Sequence, residues 1–364
     1  MGSIVKMNNT LNNSYFYTDK PVFGLDIGFS SLKVMQIDSG KKHSYVTGYG
    51  VTNFEPGSVE DGIIVNPEAL AKAAYEMFNK NLIGAITTRR VVMAIPASRT
   101  FTRTMSLPKM KSKDIDEAVR SEAEQYIPMP LESLYLDSTV ISNRDKDNME
   151  LLVVAAPKKI VDSYLTLARL LGLEVAAIET TISAAGRLFA QAEASDLPTV
   201  LVDLGSLSTD ITVYDNGPII TGTVPGGGDS ISDLVSEKLG VTKQEAHIIK
   251  TKYGLGVSKK QAQLTEALRP QLDQLIKEVK RMLRYHEERS GSQKKIGQVV
   301  TMGGGASMPG LSEYMTSSLR MPVRMCDPWQ NLDFKRLQLP NNTEKAMFVT
   351  VAGLGLVKTK EAYA

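Results

Sequence analysis

Two short stretches of the chain combine residues that could bind phosphate groups. The first reads DIGFSSLK from Asp26, and the second reads DLGSLSTD from Asp203. Each stretch has an apolar strand before it, an Asp-x-Gly step, small hydroxyl residues and a second apolar strand after it. A hairpin turn of this kind presents backbone N–H groups and hydroxyls to an anion. Two such hairpins facing each other would hold a polyphosphate from both sides.

The residues of the two turns have separate expected roles. In the first hairpin the glycine closes the turn, two serines donate to phosphate oxygens and the lysine supplies positive charge; these residues are Gly28, Ser30, Ser31 and Lys33. In the second hairpin the corresponding residues are Gly205, Ser206, Ser208 and Thr209. Asp26 and Asp203, at the strand ends, would flank a phosphate-bound Mg²⁺, mainly through water, because Mg²⁺ usually keeps several waters.

A third glycine-rich turn supports a nucleotide site. Gly303, Gly304 and Gly305 lie between an apolar strand and a helix, where glycine lets the backbone approach a ligand closely. A single Asp-x-Gly step is also common in structural turns, so one hairpin alone would indicate little. Two hairpins in register and a third glycine turn together predict nucleotide binding.

The composition argues against several other classes of protein. The chain has 364 residues, 23% charged and 42% hydrophobic, with a formal net charge of +2; this is ordinary for a soluble globular protein and shows no basic stripe for nucleic acid. The longest apolar run, 346–357, is shorter than the roughly 20 residues that span a bilayer. A single cysteine, Cys326, fits a reducing compartment. We therefore expect a cytoplasmic protein with a flexible tail at 1–21, which neither binds nucleic acid nor inserts into a membrane.

The predicted elements follow the repeat. The first hairpin is followed by a third strand, a helix at 66–81 and a strand at 89–98. Residues 97–172 read as a compact α+β insertion that forms its own layer beside the first half. In the second half a helical region covers 242–289, where Pro270 is expected to begin the longer helix. The closing apolar stretch is expected to form a helix that packs back onto the first half.

The order of DIGFSSLK, DLGSLSTD and GGGASMPGL resembles the phosphate-1, phosphate-2 and adenosine motifs of the actin–Hsp70–sugar kinase ATPase superfamily. The insertion lies where the FtsA and PilM families carry a 1C subdomain, and LPKMKSKDIDEAVRSEAEQYIPMPLESLYLD is similar to the type IV pilus assembly family PilM. The resemblance implies an α/β fold of the actin-like ATPase type, with two duplicated ribonuclease H-like domains and a 1C insertion. It implies subdomain 1A at 22–96, 173–199 and 346–361, subdomain 1C at 97–172, subdomain 2A at 200–230 and 296–345, and subdomain 2B at 231–295.

The same resemblance extends the candidate site. The implied nucleotide contacts are Lys33 with the β-phosphate, Gly227 and Gly228 of PGGGD beside the nucleotide, Lys250 with the ribose or base, and Gly303, Gly304 and Gly305 along the adenosine. His247 stands where the FtsA-like pattern AExxK has its glutamate; a neutral imidazole can still accept one hydrogen bond. Glu179 lies where Hsp70-like proteins place a glutamate near the attacking water, which makes it the candidate general base. The alternative is an acid at a strand end beside a helix cap.

The function implied by the resemblance is a cytoplasmic scaffold that binds ATP and Mg²⁺. Its partner would be a PilN-like inner-membrane protein, whose N-terminal peptide binds between subdomains 1A and 1C and recruits the scaffold to the inner face of the membrane. Other pilus platform components and the motor ATPase are further expected partners. Leu207 and His247 depart from the pattern of active ATPases, so slow hydrolysis at most is expected. An FtsA-like cell-division filament protein and a sugar kinase-like enzyme are the alternatives.

Overall fold

The computed structural model describes residues 20–40, 43–142, 147–192, 197–290, 295–342 and 344–358. Within these ranges most strands form two mixed sheets. The strands are β1 (Phe23–Ile27), β2 (Ser31–Ser39), β3 (Ser44–Asn53), β4 (Val59–Glu60), β5 (Ile63–Ile64), β6 (Ile83–Gly84), β7 (Arg90–Ile95), β8 (Phe101–Pro108), β9 (Leu134–Ser142), β10 (Asn148–Pro157), β11 (Glu174–Thr180), β12 (Thr199–Leu204), β13 (Ser208–Tyr214), β14 (Pro218–Pro225), β15 (Gln298–Met302), β16 (Val323–Met325) and β17 (Leu332–Asp333). The helices are α1 (Pro67–Glu76), α2 (Ser112–Ala123), α3 (Lys158–Leu170), α4 (Thr181–Ala192), α5 (Gly228–Leu239), α6 (Lys243–Lys252), α7 (Gln261–Ser290), α8 (Leu311–Leu319) and α9 (Val349–Gly355).

The first sheet is built around the first Asp-x-Gly hairpin. In the described part of the chain its strand order is β11-β7-β1-β2-β3-β17, with β6 paired to β3. All five residues of β1 are buried, because α1 and α3 cover one face of the sheet and α9 covers the other. The helix expected at 66–81 is confirmed: Asn66 caps α1 by accepting from the Ala69 N–H at 3.1 Å, and a π-helical turn over Met77–Asn81 continues it.

The second sheet repeats the connectivity of the first. β12 runs antiparallel to β13 and parallel to β15, as β1 runs antiparallel to β2 and parallel to β7. A third antiparallel strand follows each hairpin, β3 in the first half and β14 in the second. The duplication expected from the repeated hairpins is therefore confirmed.

The insertion at 97–172 contacts both halves of the molecule rather than forming a layer beside the first half alone. Its strands extend the second sheet, whose order among the described strands is β16-β15-β12-β13-β14-β8-β10-β9. The junction is narrow: Ile220 of β14 pairs with Arg103 of β8, and the Thr104 hydroxyl donates to the Ile219 carbonyl at 3.3 Å. An uncovered edge strand exposes unpaired backbone groups, and β8 covers that edge of β14. Helix α3, at the other end of the insertion, packs on α1 in the first half.

Helices α4 and α9 lie between the two sheets and join them. Their apolar side chains form one core with Met35 from the first sheet and with Leu201 and Val300 from the second. The helices cross closely at Gly353, where a β-carbon would overlap the backbone of Ala184. The expectation that the closing apolar stretch packs back on the first half is confirmed, since α9 contacts β1 and β2.

Helix α7 corrects the prediction for Pro270. The helix begins at Gln261 and runs for 30 residues through the proline. A proline inside a helix removes one backbone hydrogen bond and clashes with the preceding turn, at a cost of about 3 kcal/mol. Buried leucines on both sides of it anchor the helix to the second core, which offsets that cost; they are Leu264, Leu268, Leu272 and Leu275. No helix within the described ranges is both long enough and apolar enough to cross a bilayer.

Candidate nucleotide site

The two Asp-x-Gly hairpins close in the same way. The Gly28 N–H donates to the Ser31 carbonyl at 2.9 Å, and the Gly205 N–H donates to the Ser208 carbonyl at 3.0 Å. The serines of both turns are at least partly exposed; they are Ser30, Ser31, Ser206 and Ser208. The two predicted hairpin turns are thus present, one in each half, and their phosphate binding stays a prediction.

In the first hairpin, strand pairing places Asp26 directly opposite Lys33. The Lys33 Nζ donates to the Asp26 Oδ2 at 3.1 Å, and both side chains are buried. Residues opposite each other on neighbouring strands share a face of the sheet. The hairpin therefore holds one buried cation and one buried anion directly below its glycine turn.

In the second hairpin, Asp203 lies opposite a second acid, Asp210. Burial raises the pKa of Asp203 to about 7, and the negative charges of Asp210 and Asp26 add to the rise, while Lys33 opposes it. Because Asp26 and Lys33 belong to the first half, their effect on the pKa of Asp203 places the first hairpin within electrostatic range of the second. At neutral pH, Asp203 is balanced between its protonated and charged forms.

Asp210 is a site residue that the sequence argument did not single out. Thr223 Oγ1 donates to its carboxylate at 2.6 Å, and the backbone N–H of Ser98 donates to it as well. Burial raises the pKa of Asp210, and these two hydrogen bonds oppose the rise. Asp210 follows Asp203 by the same seven residues that separate Lys33 from Asp26. That equal spacing is the signal that could have identified it.

The third glycine turn adjoins the second hairpin. Gly303 has a φ of +80°, and a β-carbon there would overlap Asp203 Oδ1. Gly305 packs on Leu204, whereas Gly304 faces open space. The Gly303 N–H donates to the Ala346 carbonyl at 3.1 Å. The turn is therefore held beside the Asp203 carboxylate, at the junction of the two halves.

The PGGGD segment packs directly behind the second hairpin turn. The Gly228 N–H donates to the Gly205 carbonyl at 2.8 Å, and the Asp229 N–H donates to the Ser206 carbonyl at 2.9 Å. A β-carbon at Gly227 would overlap the same carbonyl of Gly205. The first N–H groups of α5 are thus used to fix the turn, so the glycines act here through close packing.

Lys250 lies against this segment. Its Nζ donates to the Gly228 carbonyl at 2.8 Å and is buried. Burial lowers the pKa of Lys250, and the charge of Asp229 opposes that change. Burial and the Lys250 charge lower the pKa of His247, so the neutral imidazole is favoured.

Two of the predicted site residues make contacts that differ from their expected roles. The Thr209 side chain is buried, and its hydroxyl donates to the Gly226 carbonyl at 3.2 Å. Glu179 accepts from both terminal nitrogens of Arg187 at 2.6 Å, and Arg187 also donates to the Gly353 carbonyl at 2.9 Å. Glu179 is thus bound into the contact between α4 and α9, and its role as general base stays a prediction.

Known proteins resemble this chain both in sequence and in fold. A family model described as type IV pilus assembly protein PilM matches residues 24–359. The cell division protein FtsA of Bacillus subtilis is 23% identical over 359 residues, covering 87% of this chain and 80% of that protein. A solved structure described as a PilM-PilN type IV pilus biogenesis complex has a TM-score of 0.79 and 25% identity, covering 93% of this chain and 98% of that chain.

MreB5 of Spiroplasma citri bound to AMPPNP shows the same fold at lower similarity. Its TM-score is 0.50 at 12% identity, and the match covers 92% of this chain and 95% of that chain. Together with the duplicated sheets, these matches confirm the actin-like ATPase fold.

Proposed function

The chain belongs to the family of the type IV pilus assembly protein PilM, and from this premise we propose that it is an ATP-binding scaffold of the pilus assembly platform. The observation that carries the proposal is that the two Asp-containing hairpins lie within electrostatic range of each other, with the third glycine turn packed against Asp203. Because both halves contribute residues to this site, nucleotide binding would depend on how the two halves are positioned relative to each other.

We propose that the triphosphate lies between the two hairpin turns. The exposed hydroxyls of Ser30, Ser31, Ser206 and Ser208 would donate to its oxygens. The Lys33 ammonium would share its positive charge between Asp26 and the β-phosphate, since an ammonium has three donors. Gly303, Gly304 and Gly305 would border the adenosine, where Gly304 leaves open space. Lys250 and the neutral His247 would lie near the ribose or base.

The residues present fit a Mg²⁺ ion that is held mainly by phosphate and water. Among the described residues, no three His, Cys, Asp or Glu side chains approach closely enough to hold a metal by themselves. Mg²⁺ bound with a nucleotide usually takes one or two carboxylates and several waters, and Asp26 and Asp203 could supply these contacts. Bound Mg²⁺ would neutralise charge on the phosphates and would favour the ionised form of Asp203.

We propose slow hydrolysis at most. The candidate base Glu179 already accepts two charge-assisted hydrogen bonds from Arg187, which reduces its capacity to take a proton from water. Leu207 stands in the second turn where the pattern of the resembled ATPases commonly has glycine, and it is 47% exposed.

We propose a PilN-like membrane protein as the partner. The solved complex that this chain resembles pairs PilM with PilN. Here the 97–172 segment, which we assign to subdomain 1C, touches both halves through β8 and α3. The affinity for a peptide at the border of this segment with subdomain 1A would therefore depend on the relative position of the two halves. The partner would bring the protein to the inner face of the membrane.

Two measurements test the proposal together. Calorimetry should detect one ATP site per chain in the presence of Mg²⁺. The N-terminal peptide of a PilN-like protein from the same genome, carrying a photoreactive residue, should crosslink to residues within 97–172 and to the first half. Absence of ATP binding, or crosslinks confined to 231–295, would count against it.

A further inference from the structure

A surface groove away from the nucleotide site has an apolar floor. The groove has a volume of about 480 Å³ and lies between α1 and the C-terminal end of α3. Ala71, Tyr75 and Leu170 contribute to its lining, and Tyr75 and Leu170 are 51% and 44% exposed. The Tyr75 hydroxyl donates to the Leu170 carbonyl at 3.1 Å, which holds the ring across the end of α3. The groove therefore has a small apolar floor edged by charged side chains.

Four charged residues line the same groove at a regular spacing. Glu68, Lys72, Glu76 and Lys80 follow one another at intervals of four along α1 and its π-helical continuation. Residues four apart lie on one side of a helix. All four side chains are exposed, and within the described residues none of them forms an ion pair.

This charge pattern is its own complement in the antiparallel direction. The order acid-base-acid-base reads base-acid-base-acid when the helix is reversed. A second α1 packed antiparallel would therefore bring Glu68 against Lys80 and Lys72 against Glu76, twice each across a two-fold axis. A parallel arrangement would bring like charges together, which is unfavourable. The axis would pass beside Tyr75, so the two exposed rings would meet near the centre.

We propose that this groove is the contact surface of a symmetric dimer of this chain, with α1 of each copy packed antiparallel. A two-fold contact uses the same surface on both copies and therefore requires self-complementarity, which this charge order provides. Self-association goes beyond the scaffold function and does not depend on nucleotide binding.

The dimer should be weak and sensitive to salt. One helix face on each side gives an interface at the low end of the range for specific contacts, below roughly 1,200 Å². Exposed ion pairs contribute only about 0.2–1 kcal/mol each and are screened at physiological ionic strength. Copies held together on one assembly would associate at a higher effective concentration than free copies.

Charge reversal tests the antiparallel pairing. Lys72→Glu or Glu76→Lys alone would place like charges together at two symmetric contacts, which should weaken the dimer about tenfold. The double variant Lys72→Glu/Glu76→Lys should dimerise as the wild type does. An equimolar mixture of the two single variants should also recover dimerisation, since each reversed charge then faces its opposite. Sedimentation equilibrium at low and high salt measures this, and an unchanged melting temperature shows that each variant is folded.

A cysteine crosslink locates the axis independently. Cys326, the chain's one native cysteine, is buried, so an introduced surface thiol reacts alone. Tyr75→Cys should form a disulfide-linked dimer several-fold faster than Val257→Cys, a control at a residue that is 98% exposed. Equal crosslinking rates, or a double charge variant as weak as the single ones, would overturn the proposal. Loss of PilN-peptide binding on charge reversal, with no change in self-association, would assign the groove to that partner instead.

Discussion

Replacing Lys33 with methionine tests the charge balance of the first hairpin. Methionine keeps much of the aliphatic stem but removes the charge and the donor, so Asp26 loses its 3.1 Å ion pair. Only 8% of the Lys33 side chain and 10% of the Asp26 side chain are exposed, so water cannot replace the lysine fully. Removing one partner of a buried pair costs about 3–5 kcal/mol. Since the pair lies directly below the partly exposed first hairpin turn, we expect the lower end of that range, a fall of about 3 kcal/mol in the free energy of unfolding.

The double variant Asp26→Asn/Lys33→Met separates stability from binding. It removes both charges, so it should regain all but about 1 kcal/mol of stability, yet it should bind ATP as poorly as Lys33→Met. Urea unfolding can be followed through Trp329, the chain's one tryptophan, whose ring centroid lies 4.9 Å from that of Phe334. Wild-type stability of Lys33→Met, or a double variant no more stable than the single one, would refute the reasoning.

Three further outcomes are expected. Gly303→Ala should weaken ATP binding and lower the melting temperature, because its β-carbon would overlap Asp203. Gly304→Ala should leave the melting temperature unchanged and weaken ATP binding only, because its β-carbon would enter the open space proposed for the adenosine. The pKa of Asp203 is raised to about 7 in the folded protein, so the free energy of unfolding of the nucleotide-free protein should fall as pH rises from about 4 to 7. Mg²⁺–ATP affinity should increase through the upper part of that range, because Asp203 becomes ionised there. Asp203→Asn should flatten both pH profiles. Steady-state ATP turnover should stay below about 1 s⁻¹. Glu179→Gln should leave this rate unchanged, because Glu179 is bound to Arg187. A large loss of rate in this variant would instead assign Glu179 to catalysis.

The local units of the site could be predicted from the sequence because each depends on residues that are close along the chain. The hairpin at Gly28 closes through a hydrogen bond to a residue three positions away, and so does the hairpin at Gly205. Alternation along a strand then decides that Asp26 and Lys33 share a face. The repetition of these units was enough to predict the duplicated fold, which the structure and the comparisons confirm.

Contacts between distant segments were decided by the tertiary structure. Asp210 accepts from Ser98, more than a hundred positions earlier, and the paired strands β8 and β14 are similarly distant along the chain. No local pattern encodes such partners, because they follow from which sheet edges and helix faces remain uncovered once the halves have packed. Pro270 shows the same principle: the local preference for a helix start is overridden because burial of the surrounding leucines stabilises the continuous helix by more than the proline costs.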